Sequence, residues 1–199
     1  MLAIREHPEY YAAFIGIGQL SMSSSRVRDV QRRFLLGKAR ESGNSVLAIA
    51  MQSDSPLIRE DDLFRYGAEL HGSTSWWPLL FDGLCAPEYT FADVMNVKKG
   101  VDLVNHKMVY NVITGSLAEN IREVSIPIFF FLGRYDYTTP SNLAAEYLDS
   151  ISCPLKRLAW FEKSAHFPFY EEPDRFLNEM MRADSLTTSF WAMVTDRSK

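Results

Sequence analysis

Two kinds of apolar pattern run along this chain. Short continuous runs occur at Tyr11 to Gly18 (YAAFIGIG), Ile126 to Leu132 (IPIFFFL) and Leu155 to Phe161 (LKRLAWF), bounded by proline or polar residues. Runs of this length with β-branched and aromatic members predict buried strands. Elsewhere the apolar positions recur at helical spacing. Val27, Val30 and Phe34 predict an amphipathic helix from Arg26 to Glu41, with Ser25 as N-cap and Gly43 as its stop. Leu143, Tyr147, Leu148 and Ile151 predict a second helix, capped by Thr139 with Pro140 at its first position. Pro173 opens a third, with Phe176, Leu177, Met180 and Met181 expected on one side. Leu2 to His7 fits only the last turns of a helix, because Pro8 and the first strand follow at once. Val46 to Met51 is apolar throughout, and periodicity leaves its type open. Gln52 to Met108 mixes Pro56, Pro78, Pro87 and several glycines with aromatics, which predicts short helices joined by loops.

Strand, helix and strand within about 35 residues is the size of one right-handed βαβ unit, so the last third predicts an α/β fold with parallel strands. Composition narrows the class. At 199 residues, 47% hydrophobic and 23% charged, the chain is expected to form one domain or one and a half, not a disordered tail, coiled coil or collagen-like rod. With 21 basic and 25 acidic residues the net charge is −4, which leaves no basic footprint for nucleic acid. The longest strongly apolar stretch is far short of the roughly 20 residues of a membrane span. Met1 to Ile4 runs straight into Arg5 and Glu6, so no secretory signal is expected and a soluble, cytoplasmic protein follows by default. Cys85 and Cys153 are too few for a disulfide framework or a thiolate zinc site, and two reduced thiols are expected.

In a parallel sheet, ligands and catalytic groups gather at the carboxyl ends of the strands. After Ile126 to Leu132 comes Gly133-Arg134-Tyr135-Asp136-Tyr137-Thr138-Thr139-Pro140; after Leu155 to Phe161 comes Lys163-Ser164-Ala165-His166-Phe167-Pro168-Phe169-Tyr170-Glu171-Glu172-Pro173. An aspartate that accepts from one imidazole nitrogen fixes the tautomer and leaves the other nitrogen free to take a proton from a nucleophile. Asp136 and His166 fit those roles. The sequence holds no H-E-x-x-H, no G-x-x-x-x-G-K-S/T and no G-x-G-x-x-G after a strand, and His7, His71 and His106 are scattered, so no metal or cofactor is implied.

These two loops, in this order, resemble the acid and histidine loops of α/β-hydrolases, with a closer likeness to the proline iminopeptidase-like branch. Ser75 to Leu80 (SWWPLL) and Ala86 to Thr90 (APEYT) resemble the helical cap of that branch, and Tyr11 to Gly18 resembles the strand just before it. The resemblance implies the C-terminal portion of an α/β-hydrolase: residues 1–20 and 109–199 as a partial core of parallel strands and flanking helices, and residues 21–108 as a mainly helical cap. It implies a serine hydrolase acting on an ester or amide of a small molecule or peptide, with His166 as general base and then acid and Asp136 orienting it. Trp76, Trp77, Phe81, Tyr89 and Phe91 either line an apolar substrate pocket or form the cap's own core. Glu69 and Glu88 either bind a substrate ammonium or face water.

The sequence departs from the family at its nucleophile. Serine belongs upstream of both other triad members in a G-x-S-x-G elbow, and none is present; Ser45 lies in G-N-S-V-L and Ser73 to Ser75 fall in the expected cap. The missing serine would fall just before Met1. Two expectations follow: no serine-dependent turnover by this chain alone, and pairing with the missing N-terminal half or with itself through an exposed sheet edge. A non-catalytic binding or assembly module is the alternative.

Overall fold

The three apolar runs form three parallel strands, β1 (Phe14–Ile17), β2 (Ile128–Gly133) and β3 (Lys156–Phe161), in the order β1-β2-β3. Phe14 pairs with Ile128, and Ile128 in turn with Lys156, the register running on to Gly133 opposite Phe161. The computed structural model describes residues 1–53, 56–75, 77–93, 96, 99, 100, 103 and 117–197. All of β2 is buried, because it is the central strand and both its faces are covered. Side chains alternate across a strand, so Ile128, Phe130 and Leu132 enter one apolar cluster while Phe129 and Phe131 enter another.

The first cluster is closed by α1 (Leu2–Glu6) through Ile4, by α2 (Ser24–Glu41) through Val30, and by α7 (Ser141–Ser150) through Leu143, Tyr147 and Leu148. Tyr147 is fully buried, and its hydroxyl donates to the Ile121 carbonyl at 3.0 Å, so the polar tip of a core ring is satisfied. The second cluster is closed by α9 (Pro173–Arg197) through Phe176, Met180, Ala183 and Leu186. Helices thus cover both faces of a parallel sheet, the α/β architecture expected.

Local details differ from expectation where one turn of helix decides them. The inward line of α9 runs through Phe176 and Met180, which are half-buried, and Ala183 and Thr187, which are buried, whereas Leu177 and Met181 are 60% and 64% exposed. At about 100° per residue, a side chain one place along from a buried one swings off the sheet. Helix α2 begins at Ser24 with Ser23 as N-cap, and the Ser23 and Ser25 hydroxyls bond each other at 3.1 Å without capping it. Pro140 is the N-cap of α7, not its first residue.

Val46 to Met51 resolves into a helix, α3 (Ser45–Ala50), because Asn44 Oδ1 accepts the Leu47 N–H at 3.1 Å. With α4 (Glu60–Arg65) it closes a satellite core of Leu35, Ala39, Leu47, Met51, Leu63 and Ala68. Phe34 of α2 stacks on Tyr137 with ring centroids 4.0 Å apart, which joins that core to the acid loop. Beyond it lie α5 (Trp77–Cys85) and, before β2, α6 (Leu117–Asn120). The short α8 (Pro168–Glu171) follows the histidine loop. Cys85 and Cys153 are free thiols. Among the described residues no helix is long and apolar enough to cross a membrane.

Candidate active site

The two loops that follow β2 and β3 meet backbone to backbone. Arg134 N–H donates to the Phe161 carbonyl at 2.9 Å and Tyr135 N–H to the Ser164 carbonyl at 3.0 Å. A Cβ on Gly133 would lie 1.9 Å from the Ala165 carbonyl oxygen, so only glycine lets the acid loop leave β2 at this approach. Glutamates from α8 and the residue after it brace the histidine loop. Glu171 accepts the Ala165 N–H at 2.7 Å, and Glu172 accepts the Ser164 hydroxyl at 2.7 Å and the Lys163 N–H at 2.9 Å.

Within this frame Asp136 is buried, and its Oδ2 lies 2.9 Å from Nδ1 of His166. Its Oδ1 accepts the Thr139 N–H at 2.8 Å. An ionised carboxylate only accepts, so the proton between the two groups sits on Nδ1 and the lone pair of the neutral ring sits on Nε2. The imidazole side chain is 24% exposed, against 0% for Asp136, so the ring reaches solvent while its carboxylate partner does not. Burial opposes the charged form of His166, but the hydrogen bond and charge of Asp136, with Glu69 and Glu171 behind, outweigh it and raise its pKa.

Glu69 completes the group. The backbone places it there: Tyr137 N–H donates to the Ala68 carbonyl at 3.2 Å and His166 N–H to the Glu69 carbonyl at 2.9 Å, so one short segment touches both loops. Its side chain is buried, and burial above all, with Glu60 and Asp136 adding repulsion, pushes its carboxyl up to about 7 against the pull of His166. A buried carboxyl beside an imidazole and a second carboxylate is a site that a cationic group would stabilise.

Of the residues singled out from sequence, Asp136, His166 and Glu69 are thus brought together. Trp77 is 73% exposed on α5, Glu88 is exposed, and Trp76 lies outside the described residues. Phe81, Tyr89 and Phe91 are also exposed and enter none of the apolar clusters formed among the described residues. His7 is exposed, His71 stacks on Tyr135 with centroids 3.8 Å apart, and His106 lies outside the described residues. Sequence reasoning missed two contributors, Thr139, read only as a cap, and Gly18, read only as the end of a strand. Among the described residues no group of three or more His, Cys, Asp or Glu could hold a metal ion.

A parallel sheet covered on both faces, with an acid and a histidine on the loops after consecutive strands, is the α/β-hydrolase arrangement. Comparison with solved structures bears out the fold. The chain overlays the crystal structure of a proline iminopeptidase from Mycobacterium smegmatis with a TM-score of 0.54 at 16% identity, over 92% of this chain and 60% of that one. It overlays that of VinJ with a TM-score of 0.52 at 15% identity, over 91% of this chain and 60% of that one. In sequence it is 32% identical over 89 residues to the proline iminopeptidase of Heyndrickxia coagulans, covering 45% of this chain and 29% of that protein. It is 26% identical over 104 residues to the probable aminopeptidase YbaC of Bacillus subtilis (strain 168), covering 52% of this chain and 33% of that protein. No family model matches the sequence. The chain therefore has the fold of α/β-hydrolases and homologues named as a proline iminopeptidase and a probable aminopeptidase, and it matches about a third of the length of those relatives.

Proposed function

We propose that this chain carries the acid and base of a serine hydrolase that cleaves an amide or ester next to a free amino group, as at the N-terminus of a peptide. The observation that carries the reading is the 2.9 Å contact between Asp136 Oδ2 and His166 Nδ1, on loops that follow adjacent parallel strands. In this mechanism Nε2 of His166 takes the proton of a serine hydroxyl as the oxygen attacks the carbonyl carbon, and Asp136 stabilises the imidazolium that forms. That proton then passes to the leaving amine or alcohol as its bond to the carbonyl carbon breaks, and a water deprotonated by the same Nε2 releases the acyl group from the serine. Glu69 binds the substrate's ammonium, whose charge offsets the cost of ionising a buried carboxyl.

These 199 residues contain no G-x-S-x-G, so in this reading the nucleophile and oxyanion hole come from outside them, from a segment equivalent to the N-terminal part of the relatives. The partner surface is the outer edge of β1, which among the described strands pairs only with β2. Residues 21–108 act as the cap, and their contacts with both loops through Ala68 and Glu69 support that role.

The test is co-expression with the serine-bearing half of the Heyndrickxia coagulans proline iminopeptidase. Turnover of an L-prolyl anilide, lost in Asp136→Asn and His166→Ala, is the expected result. Turnover that survives either substitution, or fluorophosphonate labelling of a serine in this chain alone, contradicts the proposal.

A further inference from the structure

The Thr139 hydroxyl stands where three elements converge. Its Oγ1 lies 2.9 Å from the Gly18 carbonyl oxygen at the end of β1, 2.9 Å from Asp136 Oδ2 and 3.1 Å from His166 Nδ1. A hydroxyl has one proton and two lone pairs. Asp136 Oδ2 already receives the Nδ1 proton at 2.9 Å, so donation to the Gly18 carbonyl leaves that carboxylate oxygen to His166. A Thr139 lone pair then offers Nδ1–H a second acceptor alongside it.

Gly18 supplies the opposing wall. A Cβ built on it would lie 2.5 Å from Cε1 and 2.6 Å from Nδ1 of His166, so the imidazole occupies the space a side chain would take. Its φ of +53° independently favours glycine. The ring is therefore held on its Nδ1 side by a carboxylate and a hydroxyl, and against a bare backbone at Gly18.

We propose that Thr139 and Gly18 are positioning residues which together fix the rotamer and tautomer of His166, with Thr139 tying the end of β1 to the Asp136–His166 pair. This deepens the hydrolase reading and rests on it. It gives β1 a part in the site although no side chain of β1 enters the chemistry.

The experiment is ¹⁵N NMR of the full 199-residue chain labelled at histidine, with the His166 signals assigned by their loss in His166→Gln. In the wild type, His166 is expected as the Nδ1–H tautomer with a slowly exchanging Nδ1 proton, and its Cε1 proton is expected to show a nuclear Overhauser contact with the Gly18 α-protons. Thr139→Val, close in shape but without the hydroxyl, is expected to lose the slow exchange and at least half of the tautomer preference. Thr139→Ser is expected to restore both. Wild-type tautomer and exchange in Thr139→Val overturn the proposal. So does absence of the Gly18 contact in the wild type, a readout that needs no variant to fold. Asp136→Asn separates the two readings: if it leaves the tautomer unchanged, the Asp136–His166 pair itself fails, whatever Thr139 does.

Discussion

The sheet and the helical section dispose of their apolar side chains in different ways. In β2 every residue is buried, with Phe129, Phe130 and Phe131 at 0% exposure. In the helical section Ile49 is 70%, Phe81 64% and Trp77 73% exposed, and the core there is a small cluster around Leu35 and Met51. The difference teaches where rigidity is placed. Asp136 and His166 leave the ends of strands fixed by ladders and two apolar layers, whereas the helical section contributes one buried carboxyl, Glu69, through backbone contacts. Precise proton transfer needs the first kind of support. The ammonium recognition proposed for Glu69 tolerates the second.

The comparison can be broken first at the level of rate. In the reconstituted enzyme, Asp136→Asn is expected to lower kcat by about 10⁴-fold, while Glu69→Gln is expected to raise KM for substrates with a free amino group more than it lowers kcat. Equal effects on kcat would erase the division of labour. Next comes stability. Phe130→Ala removes a ring from a fully buried layer and is expected to cost about 3–5 kcal/mol, whereas Phe81→Ala, on the exposed face of α5, is expected to stay within about 0.5 kcal/mol. Denaturant midpoints measure both, and comparable losses would mean that the helical section is packed as tightly as the sheet.

A smaller effect sharpens the electrostatic half. Because the folded state holds the Glu69 proton up to about pH 7, against an ordinary value of 4.5, this group favours folding fully below pH 4.5. That contribution is lost as pH rises through about 7. Glu69→Gln is therefore expected to be the more stable protein at pH 8, by at most about 3 kcal/mol, with the gap closing toward pH 4.5. A gap that widens on acidification has the wrong sign for a buried protonated carboxyl. A smaller loss than that of Phe130→Ala is expected from Tyr147→Phe, which leaves the ring in place but leaves the Ile121 carbonyl without its donor, at a cost of about 1–2 kcal/mol.

Much of this was legible in the sequence because the sheet writes itself plainly. A run such as IPIFFFL has few ways to bury seven residues at once, and the loops after two such runs must emerge at the same edge of a parallel sheet. Asp136 and His166 were readable for that reason. Leu177 and Met181 were misplaced because periodicity gives a stripe but not its rotation against a neighbour, and that rotation is set by what α9 packs on. Thr139 and Gly18 could not be read, since their roles depend on an approach between residues more than 100 apart in sequence. Trp77, Phe81 and Tyr89 show the converse: aromatic richness marks a surface or a core equally well until burial is known.

The claim that the acid loop governs the histidine is tested most directly by titrating His166 in the wild-type chain and in Asp136→Asn, following its ring resonances by NMR. Burial of the ring lowers its pKa, but Asp136 together with Glu69 and Glu171 outweighs it, so His166 is expected to titrate above its ordinary 6.5 in the wild type and to fall when the carboxylate is replaced by an amide. Its contribution to stability should be fully present below pH 6.5 and lost as pH rises through the higher folded value. A wild-type value at or below 6.5, or one that Asp136→Asn leaves unmoved, would contradict the account.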